Sequence, residues 1–309
     1  MIEPSLQFAP CAPQSGAPRR LAYWQWGDAQ AAHAVVCVHG LTRQGRDFDV
    51  LAQVLCTQAP QPVRVVCVDV AGRGQSDWLV DPTGYQIPTY VADLLGLVQH
   101  LHAQAPLATL DWVGTSMGGL IGIGLCGSPL PVPDVLPLPV RRLVLNDVGP
   151  RIEWASLQRI AQYVGRTGTF ASVQQAADAM WPISTGFGPH TPAQWLALSQ
   201  HMVKPLAGQA GMLTLHYDPA IGEPFRSATP ESTQASEAAL WALYDAITAQ
   251  TLLLRGAESD LLSAQTAREM GQRGPCARLV EFAGVGHAPT LVAQGQSQAV
   301  ADFLFAAPQ

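Results

Sequence analysis

The chain has 309 residues, 48% of them hydrophobic and 13% charged, with a formal charge of −6. That length and apolar share bury a large core in one or two domains and leave a sparsely charged exterior. The acidic balance, with no Lys/Arg-rich run, excludes the electrostatic footprint of a nucleic-acid binder.

Residues 1–20 are Pro-rich and read as irregular. They lack a basic stretch leading into an apolar one, so no secretory leader is expected. Nowhere do about 18 apolar residues follow one another without interruption, so no membrane span is expected either. The cysteines (Cys11, Cys37, Cys56, Cys67, Cys126, Cys276) show no C-x-x-C spacing and read as reduced, mostly buried thiols of a cytoplasmic protein.

Leu21 to Asp28 reads as an early strand closed by a Gly-Asp turn. Ala34 to Val38 is a continuous apolar run, as expected of a strand covered on both faces, and it ends in His39-Gly40-Leu41-Thr42-Arg43. Apolar positions 48, 51, 54 and 55 then recur at helical spacing. Val63 to Val70 is the next strand, followed by Gly72-Arg73-Gly74, and Thr89 to His102 is helical by pattern.

Leu110 to Val113 is another short strand, and it runs into Gly114-Thr115-Ser116-Met117-Gly118. The glycine-rich apolar segment Leu120 to Leu125 follows as a buried helix. This is a G-x-S-x-G elbow between a strand and a helix, the context that gives the motif its meaning. A serine on so sharp a turn needs neighbours without side chains. It is lifted to the carboxyl edge of a parallel sheet, above a helix N-terminus that favours negative charge.

Gly127 to Pro139 holds five prolines and reads as a surface loop. Arg142 to Pro150 is another strand with a polar end, in which Asp147 lies. From Arg151 to about Ala249 amphipathic helical segments alternate with Gly/Pro turns, rich in aromatics that include Trp154, Met180-Trp181, Phe187 and Trp195. Strands return at Thr251 to Gly256 and Arg278 to Phe282, and Gln296 to Phe305 closes the chain as a helix. Strands alternating with helices imply parallel βαβ units. The expected architecture is a mostly parallel sheet flanked by helices, built from residues 1–150 and 250–309, with a helical lid at 151–249 inserted after the sixth core strand.

A serine hydroxyl needs a base within reach and a third group to orient that base. His287, in Gly286-His287-Ala288 after the last strand, has the placement. His33, His100, His102, His190, His201 and His216 do not, and His39 reads as a loop-bonding residue. For the acid, Asp260 follows the penultimate strand and completes the chain order Ser116, Asp260, His287. Asp147, after the sixth strand, is the alternative position. Oxyanion donors are expected from the N–H groups of Leu41 and Met117. Arg43 either binds a substrate carboxylate or pairs with Asp47 or Asp49. Trp154 and Trp181 are expected to line an apolar pocket under the lid, alongside Met180, Phe187 and Trp195. Nothing in the pattern calls for a metal or cofactor.

The His39-Gly40 loop, the Asp69…Gly72-Arg73-Gly74…Ser76 turn, the elbow, Gly256…Asp260 and Gly286-His287 occur together in one order. In this the chain resembles the α/β-hydrolase superfamily from about residue 20 to 305, and within it the bacterial lid-bearing carboxylesterases, lactonases and C–C bond hydrolases. The resemblance implies a cofactor-free serine hydrolase that takes a small-molecule ester or lactone and water through an acyl-enzyme. A C–C hydrolase of dienoic keto acids, which usually has an aromatic residue where Ala288 stands, is the alternative. A small-molecule receptor or an acyltransferase on the same fold is a further one.

Overall fold

A computed structural model describes residues 3–14, 17–129, 136–226 and 229–307. Residues 130–135, inside the proline-rich run expected to form a surface loop, lie outside them.

The amino-terminal segment is ordered rather than irregular. Ser5–Gln14 (β1) and Ala17–Gly27 (β2) form an antiparallel pair, and β2 continues antiparallel onto Val63–Val68 (β4). Prolines at a sheet edge cost no ladder bonds toward solvent, so the Pro-rich composition did not exclude a strand there. His33–Val38 (β3), Thr109–Thr115 (β5) and Arg142–Asn146 (β6) are parallel, as are Gln250–Gly256 (β10) and Arg278–Phe282 (β11). The strand order of this eight-stranded sheet is β1-β2-β4-β3-β5-β6-β10-β11.

Period-two alternation sorts each strand's side chains onto two apolar layers. Val36, Val38, Val66, Leu110 and Trp112 join the layer that packs on Ile87–Gln104 (α2) and Met117–Gly127 (α3). Val35, Cys37, Val65, Val113 and Leu254 face Asp49–Gln58 (α1) and the carboxy-terminal helix Gln294–Phe305 (α10). With both faces covered, the central strands read as unbroken apolar runs.

Between β6 and β10 the chain forms Trp154–Ala161 (α4), Val173–Met180 (α5), Pro192–Gln200 (α6), Glu223–Arg226 (α7) and Pro230–Asp245 (α8), and Ala264–Met270 (α9) connects β10 to β11. This insertion is not wholly helical. Thr169–Phe170 (β7), Val203–Pro205 (β8) and Leu213–Leu215 (β9) form a small antiparallel sheet, too short for a two-residue period to show in sequence. Phe170, Ala177, Met180, Trp195 and Leu198 give the insertion a small core of its own. Helix α8 instead packs on α3, where a Cβ at Gly127 would lie 2.0 Å from the Leu243 carbonyl oxygen. Among the described residues no helix is long and apolar enough to cross a membrane.

Candidate active site

Ser116 stands between β5 and α3 with φ 52° and ψ −116°, the strained backbone expected of an elbow. Two glycines permit it. A Cβ at Gly114 would lie 2.3 Å from the Gly118 carbonyl oxygen, and one at Gly118 would lie 2.0 Å from that of Val38. The Ser116 N–H donates to the Asn146 carbonyl at 2.9 Å, fastening the turn to the neighbouring strand end.

His287, five residues beyond β11, brings its Nε2 to 2.9 Å from Ser116 Oγ. Its Nδ1 lies 2.7 Å from Asp147 Oδ2. A carboxylate only accepts, so the proton sits on Nδ1 and the Nε2 lone pair faces the serine hydroxyl. Asp147 is fully buried and also accepts from the Gly256 N–H at 2.9 Å and from the Ser259 hydroxyl at 2.6 Å. Three donors meet the hydrogen-bonding demand that burial places on this carboxylate and fix its orientation toward the imidazole.

Asp260, expected beside His287, is elsewhere. It accepts from Arg159 Nε at 2.8 Å and Nη2 at 2.9 Å, with its side chain 49% exposed. Its carbonyl accepts from the Ser156 hydroxyl, so the residue ties α4 to the loop after β10. The correction has a geometric cause. β6 and β10 are adjacent parallel strands, Asn146 opposite Leu254, so an acid at either carboxyl end is near the same histidine. Ser259, which sequence reasoning passed over, bridges the two ends from the β10 side.

Leu41 borders the cavity beside Ser116, and Met117 follows Ser116 directly at the elbow. Met117 is the first residue of α3, so its N–H is one of the helix's free amino-terminal donors. At Gly40 a Cβ would stand 3.6 Å from Ser116 Cβ, which shows how close this loop comes to the serine. The Gly40–Leu41 peptide is clamped. His39 Nδ1 lies 2.7 Å from the Gly40 carbonyl oxygen, and its Nε2 accepts the Val70 N–H at 3.0 Å. Because a trans peptide points its C=O and N–H in opposite directions, fixing the Gly40 carbonyl fixes the Leu41 N–H. Burial pushes the His39 pKa down to about 3, which keeps the ring neutral in this role. Arg73, fully buried, holds the next carbonyl, that of Leu41, at 2.8 Å through Nε.

A cavity of about 420 Å³ opens between this loop, Ser116, His287 and the insertion. Its apolar wall includes Ile160, Phe170, Met180, Phe187, Leu198 and Met202. Neither Trp154 nor Trp181 belongs to it. Trp154 lies six residues before Ile160, about 120° round the helix from it. Trp181, 36% exposed, packs edge-on from outside against Trp195, ring centroids 5.2 Å apart. Trp195 is buried in the insertion's own core and donates to the Ala177 carbonyl at 2.9 Å. Arg43 does reach the cavity, but its Nε and Nη2 grip Asp47 at 2.6 and 2.7 Å and Nη2 also meets the Leu198 carbonyl at 3.0 Å. Of its two expected roles, pairing with Asp47 is the one seen. Among the described residues no group of His, Cys, Asp and Glu is placed to hold a metal ion.

An elbow serine, an imidazole and a buried acid at the carboxyl edge of a largely parallel sheet define a class, and comparison with known proteins agrees. Residues 35–303 match the alpha/beta hydrolase family. The chain belongs to that family. It is 46% identical over 294 residues to a 3-hydroxybutyrate-oligomer hydrolase of Cupriavidus necator, covering 95% of each chain. The crystal structure of an alpha/beta hydrolase from Novosphingobium aromaticivorans is 33% identical, covers 98% of this chain and 99% of its own, and superposes with a TM-score of 0.80. E-2-(acetamidomethylene)succinate hydrolase, 20% identical, covers 98% of this chain and 100% of its own with a TM-score of 0.75, a likeness of fold.

Proposed function

We propose that this protein is a serine hydrolase that cleaves the ester bonds of short hydroxyalkanoate oligomers, 3-hydroxybutyrate oligomers foremost. The observation that carries the reading is the relay from Ser116 Oγ through His287 to Asp147, with contacts of 2.9 and 2.7 Å. The kinship with an oligomer hydrolase supports the substrate class. A cavity whose wall is apolar over most of its area suits a chain of alternating methyl-bearing carbons and esters.

In this mechanism His287 Nε2 takes the hydroxyl proton as Ser116 Oγ attacks the ester carbonyl, and Asp147 stabilises the imidazolium. The Leu41 and Met117 N–H groups receive the oxyanion, each worth about 2.7–4 kcal/mol to the transition state. Collapse of the tetrahedral intermediate breaks the C–O bond, and the imidazolium protonates the departing alkoxide. Water, deprotonated by His287, then attacks the acyl-enzyme and releases the acid and Ser116. The insertion, on this reading, is the lid that keeps bulk water from the apolar cavity.

The test is steady-state hydrolysis of 3-hydroxybutyrate trimer and of p-nitrophenyl esters by the wild type and Ser116→Ala. Turnover should fall by about 10⁶ in kcat on losing the serine. Equal rates for the two proteins would remove Ser116 from the mechanism. If the esters were cut and the trimer were not, the substrate class would be wrong.

A further inference from the structure

The cavity wall is basic in an acidic protein. Against a formal charge of −6 for the whole chain, the wall carries three guanidiniums, Arg43, Arg159 and Arg166, and one carboxylate, Asp47. Arg43 and Asp47 cancel each other through their two-pronged contact. Arg159 meets Asp260, which is outside the wall, and both side chains are about half exposed, so solvent screens that pair. Arg166 is exposed, and its guanidinium has no hydrogen-bond or ion-pair partner among the described residues.

Arg159, Tyr163 and Arg166 lie close together in the chain at the end of α4. Val164 N–H to Ile160 O at 3.0 Å carries the helix one turn further, Gly165 with φ 78° ends it, and Arg166 N–H closes the turn on Tyr163 O at 3.1 Å. All three border the cavity. The Tyr217 hydroxyl donates to the Arg166 carbonyl, which pins the backbone beneath the free guanidinium.

We propose that this part of the wall recognises a carboxylate at the free end of the ester substrate, with Arg166 as the principal contact and Tyr163 and Arg159 beside it. The proposal rests on the hydroxyalkanoate reading above. Such an oligomer is uncharged along its length and carries one carboxylate at its end. An apolar cavity with an uncompensated guanidinium on its wall matches that distribution, whereas a neutral ester would gain nothing from the cation. The planar fork of an arginine also suits a carboxylate, which it binds through two parallel hydrogen bonds. A basic concavity with low-dielectric walls in an otherwise acidic surface further concentrates anions at its mouth.

The experiment measures binding rather than turnover. Calorimetry on Ser116→Ala compares 3-hydroxybutyrate trimer with its methyl ester, and repeats the pair on Ser116→Ala/Arg166→Gln. The acid should bind about tenfold more tightly than the methyl ester to the first protein, and the ratio should fall to near one in the second. Arg166 is exposed, so the double variant should melt with the single one. Arg166→Lys should keep part of the ratio, since it keeps charge without the fork. A ratio near one already in Ser116→Ala, a ratio that survives Arg166→Gln, or no binding of either trimer would overturn the proposal. Trimer hydrolysis by the wild type tests the functional reading separately. A trimer that is cut without acid preference sinks only the carboxylate contact, and a preferred acid that is never cut sinks only the hydrolase substrate.

Discussion

Replacing Asp147 with Asn should all but abolish catalysis, whereas Asp260→Asn should not. Asp147 Oδ2 takes His287 Nδ1 at 2.7 Å and Ser259 Oγ at 2.6 Å, and Oδ1 takes the Gly256 N–H at 2.9 Å. An asparagine offers one oxygen and one NH₂. With the oxygen toward Gly256, the NH₂ faces His287 and selects the tautomer protonated on Nε2, which can no longer accept from Ser116. With the oxygen toward His287, the NH₂ collides with the Gly256 donor in a site sealed from water. Either outcome removes the relay. The same substitution in a serine-protease triad lowers kcat by about 10⁴, or about 5.5 kcal/mol of transition-state stabilisation, and a loss of that order is expected here. Asp260 supplies only a half-exposed pair with Arg159, worth about 1 kcal/mol at most, so its variant should keep kcat within about threefold. The assay is p-nitrophenyl butyrate hydrolysis with thermal melts on both variants. Near-normal rates in a folded Asp147→Asn, with a hundredfold or greater loss in Asp260→Asn, would refute the assignment.

Acid should weaken the fold through His39. Its folded pKa of about 3 lies below the ordinary histidine value of 6.5, so between those values the unfolded chain binds a proton that the folded chain refuses. Above pH ~6.5 this residue gives no pH dependence; below it, stability should fall by up to ~1.4 kcal/mol per pH unit until about pH 3. Urea unfolding across that range should show the slope, and His39→Gln should reduce it. Gly118→Ala should cost about 1–3 kcal/mol or more, because the new methyl would sit 2.0 Å from the Val38 carbonyl, a backbone atom that cannot swing aside. Gly295→Ala, in α10 with nothing within 4 Å, should instead stabilise by up to ~1 kcal/mol, and melting temperatures of the two variants would compare them.

The elements with strong local signatures were legible in the sequence. Continuous apolar runs marked β3, β4 and β6, and the glycines around Ser116 announced a turn that only glycines permit. His287 could be chosen among the histidines because it follows the last core strand at the carboxyl edge, whereas His39, which also ends a strand, read as a loop-bonding residue. What escaped was decided by packing between segments distant in sequence. Asp147 and Asp260 both end strands that become neighbours, and only the sheet register and the Ser259 bridge separate them. Trp154 and Trp181 looked like pocket residues by type, but the helical phase of α4 and the Trp195 contact take them away from the wall. The pairing of β1 with β2 was masked by prolines that an edge tolerates. Strands of two or three residues in the insertion are too short to carry a period. Helix α8 was assigned to the insertion by position, yet Gly127, 116 residues before Leu243, makes the groove into which it fits.

The insertion also holds the histidine loop from outside. The Gly286 N–H, next to His287, donates to the Gly186 carbonyl at 2.6 Å, and a Cβ at Gly186 would come within 3.2 Å of the His287 carbonyl oxygen. Four residues further on, His190 Nδ1 bonds the Gly188 carbonyl at 2.9 Å while its Nε2 lies 2.8 Å from the Thr290 hydroxyl. From the core side, Asn146 Nδ2 donates to the Pro289 carbonyl at 2.7 Å. The loop bearing His287 is thus pinned between β6 and residues 186–190, and the serine contact at 2.9 Å depends on both. The strand edge presents Ser116 and Asp147, but the third member of the relay takes its position from the inserted segment as well. Sequence divergence in this insertion would therefore reach the histidine loop as well as the shape of the cavity, because Gly186 and His190 bond to that loop and Phe187 between them lines the wall.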